Sequence, residues 1–416
     1  MYIMKIAIVG GGVSGLYAGS ILKELGHEVM IFEASQRLGG RIYSYTRLNK
    51  RKFVELGAAE IHGRNALNYE MLSHLNHKIE PINGNEYLWF DQKLQDLDNK
   101  EDLPNGILSL FTYFGNLHKE DFNGSITQSL KDKGLYNSHI RAILDGITSE
   151  YSASADKIHA SSLAEEEWRW TSGFRNFYSQ GKYSDAIDFF EDKLKGCITL
   201  NAPIMDINYS QDQVMLLSRD GSVNQFDKVI VTASLGVLKK EKINFTPPLP
   251  SLHKKAIQKL GFGKGRKLFI EFEKPFWEPD TSEIIGGKKC PLYLIRPAQP
   301  KCICAYITAD AAKDFNQMED EEVAEIVLNE LDEMYPDVNV MMHYKSHYGK
   351  DWTSDPYFHG TYSYSKKDSL KYRKDLKQPI ENKVFFIGEA LNDQGHAATV
   401  HGAMETAEEL VRTYFE

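Results

Sequence analysis

A chain of 416 residues is long for one hydrophobic core, so two domains are expected. Its 42% hydrophobic and 26% charged content is that of an ordinary soluble globular protein. A net charge of −9 argues against nucleic acid or an anionic membrane as the main partner, and it fits a cationic ligand only weakly.

From the start of the chain, an apolar segment ending at Val9 runs into Gly10-x-Gly12-x-x-Gly15, and that turn opens a helix. A second strand over 28–32 then delivers an acid, Glu33. This order is the dinucleotide-binding arrangement: Gly10 makes the tight turn, Gly12 lets the backbone approach a pyrophosphate, and Gly15 lets helix and strand pack closely. Ser14 lies in the same turn, the helix dipole faces the phosphates, and Glu33 is placed to accept from the ribose hydroxyls. The next segment, with Gly39, Gly40 and Arg41, reads as a second backbone loop with a guanidinium to neutralise the pyrophosphate, or else as a plain surface turn with a solvated arginine. It resembles the second glycine motif of FAD-dependent oxidases of the glutathione-reductase-like type.

Residues 75–175 read as mostly helical, with irregular loops such as 102–106. An amphipathic helix is predicted over 185–194, then short strands over 198–200, 204–209, 214–218 and 228–232, with a hairpin turn at Asp220-Gly221. A strand at 267–272, a buried strand at 385–389 ending in glycine and acid, and a helix at 400–414 complete the chain. No internal repeat or low-complexity segment is present.

The four cysteines are Cys197, Cys290, Cys302 and Cys304. The last three cluster in sequence, a spacing open to a metal site or a redox pair. Zinc sites prefer two-residue spacers and a fourth ligand, so buried free thiols are the favoured reading and no metal is expected. Cys302 and Cys304 should face the same side of one strand. The run from Glu165 to Trp170 interleaves carboxylates and aromatics, either to hold a polycation or, preferably, as a solvated helix face with its aromatics turned to the core. No apolar run reaches the roughly 18 residues of a membrane span, and neither a leader pattern nor a twin arginine is present, so a cytoplasmic protein is expected.

Taken together, the ordered motifs resemble the flavin-containing amine oxidase family: monoamine, polyamine and L-amino-acid oxidases and lysine-specific histone demethylases. They are Val54 to Ala58, Val229 to Leu238, Ile243 to Pro250, Gly261-Phe262-Gly263 leading to Lys267, Phe276-Trp277, Trp352, Asp355-Pro356, Gly360 to Tyr362, Gly388 to Ala390 and Ala398 to Ala403. The segments from Val229 to Trp277 and from Ala398 to Ala403 look most like polyamine oxidases and histone demethylases. Neither an extra chromatin-binding domain nor a long helical-hairpin insertion is present, which argues against a demethylase.

The resemblance implies an α/β fold in which an FAD-binding, Rossmann-like domain of the glutathione-reductase type is interleaved with an α+β substrate-binding domain. The implied division is 1–74, 181–248 and 375–416 for the first, and 75–180 (helical) and 249–374 (sheet) for the second. It also implies a set of cofactor contacts. Gly57 and Ala58 line the flavin. Gly388 and Glu389 hold its ribityl and phosphate region. Thr399 and Val400 set a backbone amide and a helix dipole against the pyrimidine edge. Ile204 reads the adenine edge, or is an ordinary strand residue.

Lys267 matches the family lysine that holds a water at the flavin N5 and serves the reaction with dioxygen, whereas Lys264 and Arg266 should face solvent or loops. His62 matches a histidine of the substrate tunnel in spermine and acetylpolyamine oxidases, or else only packs or caps a loop. Glu60 departs from those enzymes, which carry a bulky aromatic there; a carboxylate would reshape the tunnel or engage an ammonium. Thr361 stands where monoamine oxidases have the cysteine that tethers FAD, so the flavin should be non-covalent. Tyr362 matches one of their two substrate-flanking tyrosines and Thr399 replaces the other; Trp352 joins the substrate set. The chain stops at Glu416 without a hydrophobic tail, so no membrane anchor is expected.

The expected activity is oxidation of a small-molecule amine, a polyamine or related amine, with dioxygen as acceptor. The alternatives are an L-amino-acid oxidase, which needs an arginine in the cavity, or a flavin-binding protein with little turnover. The sequence carries no signal for oligomeric state.

Overall fold

The computed structural model describes residues 3–46, 52–99, 103, 106–117 and 122–416, so most of the loop expected at 102–106 lies outside the described residues. A five-stranded, all-parallel sheet runs in the order Ile198–Thr199, Glu28–Phe32, Lys5–Val9, Lys228–Val231 and Val384–Phe386. Strands from the beginning, middle and end of the chain therefore lie side by side. Both faces of the central strand are covered, which is why it reads as continuous apolar sequence. Ile6 and Ile8 pack with Leu16 of the helix Val13–Glu24 and with Met404 and Ala407 of the helix Val400–Tyr414. Ala7 and Val9 pack on the opposite face with Ile204, Leu235 and Phe386. A four-stranded sheet, Val223–Phe226, Val214–Ser218, Ile204–Asn208 and Asn244–Thr246, stands beside it, its hairpin turning at Gly221 with φ +88°.

The second large sheet has seven strands in the order Tyr344–Asp351, Gly265–Phe272, Cys302–Thr308, Leu292–Leu294, Thr281–Ile285, Asn85–Phe90 and Lys93–Asp96. Its last two strands correct the sequence reading, because 79–96 is not helical. Asn85–Phe90 carries the β-favouring run Tyr87-Leu88-Trp89-Phe90 and adds in parallel to Thr281–Ile285, a pairing made across the chain. The helices of this region come later: Ile107–Gly115, Ile126–Asp132, Ser138–Ser149 and Ala160–Arg169, around a core of their own.

Gly265–Phe272 is buried at all eight positions, so of the two surroundings expected for Arg266, solvent or loops, it is not solvent that it meets. It is 4% exposed and ion-paired to Asp320 at 2.5 Å, and its Nη1 donates to the carbonyls of Phe315 and Met318. Lys264, just before the strand, is exposed. The four cysteines are free thiols, and Cys302 and Cys304 share one small core with Val54 and Phe269. The aromatics after Glu165 do not both turn inward: Trp168 is 71% exposed, while Trp170 packs edge-on against His396 and His401. Among the described residues, no helix is long and apolar enough to cross a membrane.

Candidate active site

One cavity of about 810 Å³ lies between the two large sheets and is lined by residues of both. Of the residues that the sequence assigns to cofactor, catalysis or substrate, all line it except Gly15. Gly15 works underneath: a Cβ there would run into the carbonyl oxygen of Gly10, so only glycine allows this helix to sit on this strand. Gly10 has φ +117°, a conformation that favours glycine. At Gly12 a Cβ would meet no protein atom within 4 Å, so its absence leaves open space in the cavity rather than relieving a protein contact.

Glu33 is oriented by two backbone amides, Gly11 N–H on Oε2 at 2.7 Å and Ser35 N–H on Oε1 at 2.8 Å. The second glycine motif folds onto the first, with Gly39 N–H donating to Gly11 O at 2.9 Å. Arg41 and Glu389, read separately in sequence, are partners: Arg41 Nη1 donates to Glu389 Oε1 at 2.8 Å and to Thr361 O at 2.6 Å. Glu389 also accepts from Ser363 Oγ at 2.7 Å and from Ala398 N–H at 3.0 Å. Burial pushes its carboxyl up, but the Arg41 charge and these hydrogen bonds hold it below the usual carboxylate range. Gly57 packs on the carbonyl of Arg41, Ala58 N–H donates to that carbonyl at 3.0 Å, and Ile204 is buried at the cavity wall. Thr399 caps Val400–Tyr414, its side chain accepting from Gly402 N–H at 2.9 Å, so the first turn of that helix opens on the cavity.

At the other end, Lys267 Nζ donates to Gly57 O at 2.6 Å and, at 3.5 Å, to Glu55 O. It lies 5.4 Å from the ring centroid of Tyr306. Burial pulls its pKa down, while Cys304, Glu60 and Glu55 oppose that pull. Tyr306 OH donates to Tyr362 OH at 2.5 Å, and Tyr362 OH donates to Glu150 O at 2.6 Å. Burial pushes both phenols up, so they are neutral at ordinary pH. His62 Nδ1 meets Asn176 Oδ1 at 3.0 Å, and its ring lies edge-on to Trp170.

Glu60 is ion-paired with Arg296, which also pairs with Glu283. Burial pushes the Glu60 carboxyl up, and the Arg296 charge and hydrogen bonds, with His62 and Lys267 beyond them, together bring it below the usual carboxylate range. The Glu150 carboxyl is raised well above its usual range by burial and by the neighbouring Glu283, Glu60 and Glu86. Trp352 spends its indole N–H on Leu56 O at 2.9 Å and presents its ring to Phe358. Thr361 Oγ1 is hydrogen-bonded to Ser152 Oγ at 2.6 Å. Sequence reasoning did not find Arg296, Tyr306, Glu150 or Asn176. Tyr306 had a latent signal: it sits opposite Lys267 in the sheet register, visible only once the partner strand is known.

The family of flavin containing amine oxidoreductases matches residues 13–412. The chain belongs to this family. It is a flavin-dependent amine oxidoreductase with an FAD-binding, Rossmann-like fold and a substrate-binding domain. It is similar to probable polyamine oxidase 4 of Arabidopsis thaliana, 25% identical over 444 residues that span 96% of this chain and 84% of that protein. It is also similar to the L-amino-acid oxidase of Mus musculus, 22% identical over 451 residues that span 97% of this chain and 69% of that protein. Among solved structures, putrescine oxidase bound to putrescine shares the fold with a TM-score of 0.84 at 18% identity, over 99% of this chain and 98% of that one. Cyclohexylamine oxidase from Brevibacterium oxydans IH-35A does so with a TM-score of 0.82 at 16% identity, over 99% of each chain.

The residues of this amine oxidoreductase fit a flavin dinucleotide on their own geometry. The open space at Gly12, the anchored carboxylate of Glu33 and the helix start at Val13 suit ribose and pyrophosphate, and the helix start at Val400 suits the electron-rich edge of the ring. Behind the cavity wall, against Trp170, His396, His401 and Glu405 bring ligand-type atoms within 4.8 Å of one another. His396 is already spent, with Nδ1 on Glu405 at 2.9 Å and Nε2 accepting from Thr171 N–H at 3.1 Å.

Proposed function

We propose that this enzyme oxidises a polyamine or related amine at the carbon bearing the reacting nitrogen, giving an imine that hydrolyses to an aldehyde, and that dioxygen is reduced to hydrogen peroxide. The observation that carries this reading is the excess of carboxyl groups over guanidinium at one end of the cavity: Glu60 and Glu283 share the single charge of Arg296, and Glu150 and Glu167 line the same cavity as Lys267 and Tyr362. Burial raises the Glu150 and Glu167 carboxyls, and a bound cation relieves that cost where an anion would add to it, so the site favours an ammonium. Arg296 does not offset this for an incoming acid, because its charge is already matched by Glu60 and Glu283. The second reading, an L-amino-acid oxidase, needs a guanidinium open to a substrate carboxylate.

When bound, the flavin supplies the two-electron acceptor for a hydride from the amine α-carbon. The protein's part is positional and electrostatic. The reacting amine must be neutral to release a hydride. His62 serves as its proton acceptor through Nε2, because Nδ1 donates to Asn176 Oδ1. The hydroxyl chain from Tyr306 through Tyr362 to Glu150 O holds two uncharged rings as a fixed wall for the substrate carbon chain. In the second half of the cycle negative charge develops on dioxygen, and the anchored Lys267 ammonium stabilises it without reorganisation. The flavin is held without a covalent bond, since Thr361 offers a hydroxyl and no thiol. The parallel-sheet strands all fall within 1–74, 181–248 and 375–416, and the seven-stranded sheet within 75–180 and 249–374; this supports assigning those ranges to the flavin and substrate domains.

The test is anaerobic mixing of the yellow protein with a panel of amines, followed by admission of air with peroxide detection. A di- or polyamine that bleaches the flavin spectrum is the expected result. Bleaching by α-amino acids alone would establish the second reading, and bleaching by no amine would leave a flavin-binding protein with little turnover.

A further inference from the structure

Arg296 is 8% exposed and every one of its donors is engaged. Nη1 donates to Ser282 O at 2.8 Å and to Ile295 O at 3.1 Å. Nη2 donates to Glu283 Oε1 at 2.9 Å and to Glu60 Oε1 at 2.5 Å, and Nε donates to that same Glu60 oxygen at 3.0 Å. A guanidinium has five N–H groups, so none is left over. The Nε–Nη2 edge matters most, because a free carboxylate docks on such an edge with two parallel hydrogen bonds. Here that edge is covered by Glu60, from the strand Glu60–His62, and both partners line the cavity that holds Lys267, Tyr306 and Glu150.

We propose that Glu60 is a built-in carboxylate seated on the carboxylate-binding edge of Arg296, and that it is the residue by which the cavity rejects amines bearing a carboxylate group. Two effects act together. An incoming carboxylate finds no free donor on the guanidinium, so its desolvation is not repaid. It also approaches acidic side chains, which repel it. Truncating Glu60 reverses both effects: the Nε–H and one Nη2–H become free in fork geometry, one negative charge leaves, and Glu283 remains as the sole counter-ion. Glu60 thus determines specificity without touching the electron transfer. The inference rests on the amine-oxidase reading for the class of compound excluded, but its test needs no turnover.

The test is calorimetric titration of the flavin-loaded protein with benzoate, a carboxylate that cannot be oxidised at a C–N bond, and with benzamide as its uncharged counterpart. Wild type and Arg296→Met should bind benzoate equally weakly. Glu60→Ala should gain on the order of ten-fold or more in benzoate affinity, the scale of a bidentate charge-assisted contact, with no matching gain for benzamide. The double variant Glu60→Ala/Arg296→Met should lose that gain. Glu60→Gln keeps the side-chain size and should show a smaller gain in the same direction, so it decides the matter if the alanine variant does not load flavin. Unchanged benzoate affinity in the Glu60 variants would overturn the proposal. So would a gain that survives loss of Arg296, or wild-type benzoate binding that Arg296→Met abolishes. A failure of amine oxidation would appear in the bleaching experiment and leave these titrations readable.

Discussion

Lys267 Nζ donates to the backbone carbonyl of Gly57, 2.6 Å away, so the strand Gly265–Phe272, next to the edge of the seven-stranded sheet, is tied to the turn between Phe53–Glu55 and Glu60–His62. That glycine is itself forced, because a Cβ would run into the carbonyl of Arg41. The lysine is therefore held in place before the reaction begins.

Replacing Lys267 with methionine keeps the side chain's bulk and removes its charge. Losing one preorganised electrostatic partner costs on the order of 10²-fold. Reoxidation of the reduced flavin by dioxygen should slow by about that factor, and reduction by amine much less. Stopped-flow traces of the two half-reactions decide it; unchanged reoxidation would remove Lys267 from the mechanism and direct attention to His62.

Arg266 makes a contrasting case. As a solvated residue it would tolerate alanine, but it is buried, holds Asp320 and donates to two carbonyls. Arg266→Ala should lower stability by about 1–3 kcal/mol, below the roughly 3–5 kcal/mol of a fully buried pair because Asp320 is partly solvated. The denaturant midpoint measures it, and a midpoint equal to wild type would contradict the burial argument.

Gly12 and Gly15 separate cofactor binding from folding. A Cβ at Gly12 meets no protein atom within 4 Å, so Gly12→Val should fold, with a melting temperature close to that of wild-type apoprotein, yet purify largely without flavin. Gly15→Val should fail to fold, because its Cβ strikes the Gly10 carbonyl. Wild-type protein should release intact FAD into the supernatant on acid precipitation. Full flavin occupancy in Gly12→Val, or flavin retained in the wild-type pellet, would refute these assignments.

Glu55 makes stability depend on pH. Burial pushes its carboxyl up from 4.5 to about 7, against the lowering effects of Tyr183 N–H, Ser44 and Lys267. Between these values the folded protein keeps a proton that the unfolded chain has released, so stability falls as pH rises across that window. The full swing is about 3 kcal/mol on the order-of-magnitude scale of 1.4 kcal/mol per pH unit. Glu55→Gln, which cannot ionise, should flatten the decline between pH 4.5 and pH 7. Chemical denaturation at several pH values checks it; parallel slopes for the two proteins would show that Glu55 is not the responsible group.

What the sequence determined by itself is local. The turn at Gly10, the packing at Gly15 and the acid at Glu33 follow from steric and hydrogen-bonding demands made within one strand–helix–strand unit. The hairpin at Gly221 and the helix capped by Thr399 are set by residues a few positions apart. What only the tertiary structure decided is long-range. Arg41 and Glu389 are 348 positions apart, and Glu60 and Arg296 are 236 apart. Neither pair has a signature, because a charged residue reads the same whether its partner is water or a distant side chain. The strands at 79–96 and the burial of Arg266 were missed for the same reason: sheet register joins segments from across the chain, and that register places charges inside where the local pattern would have left them in solvent.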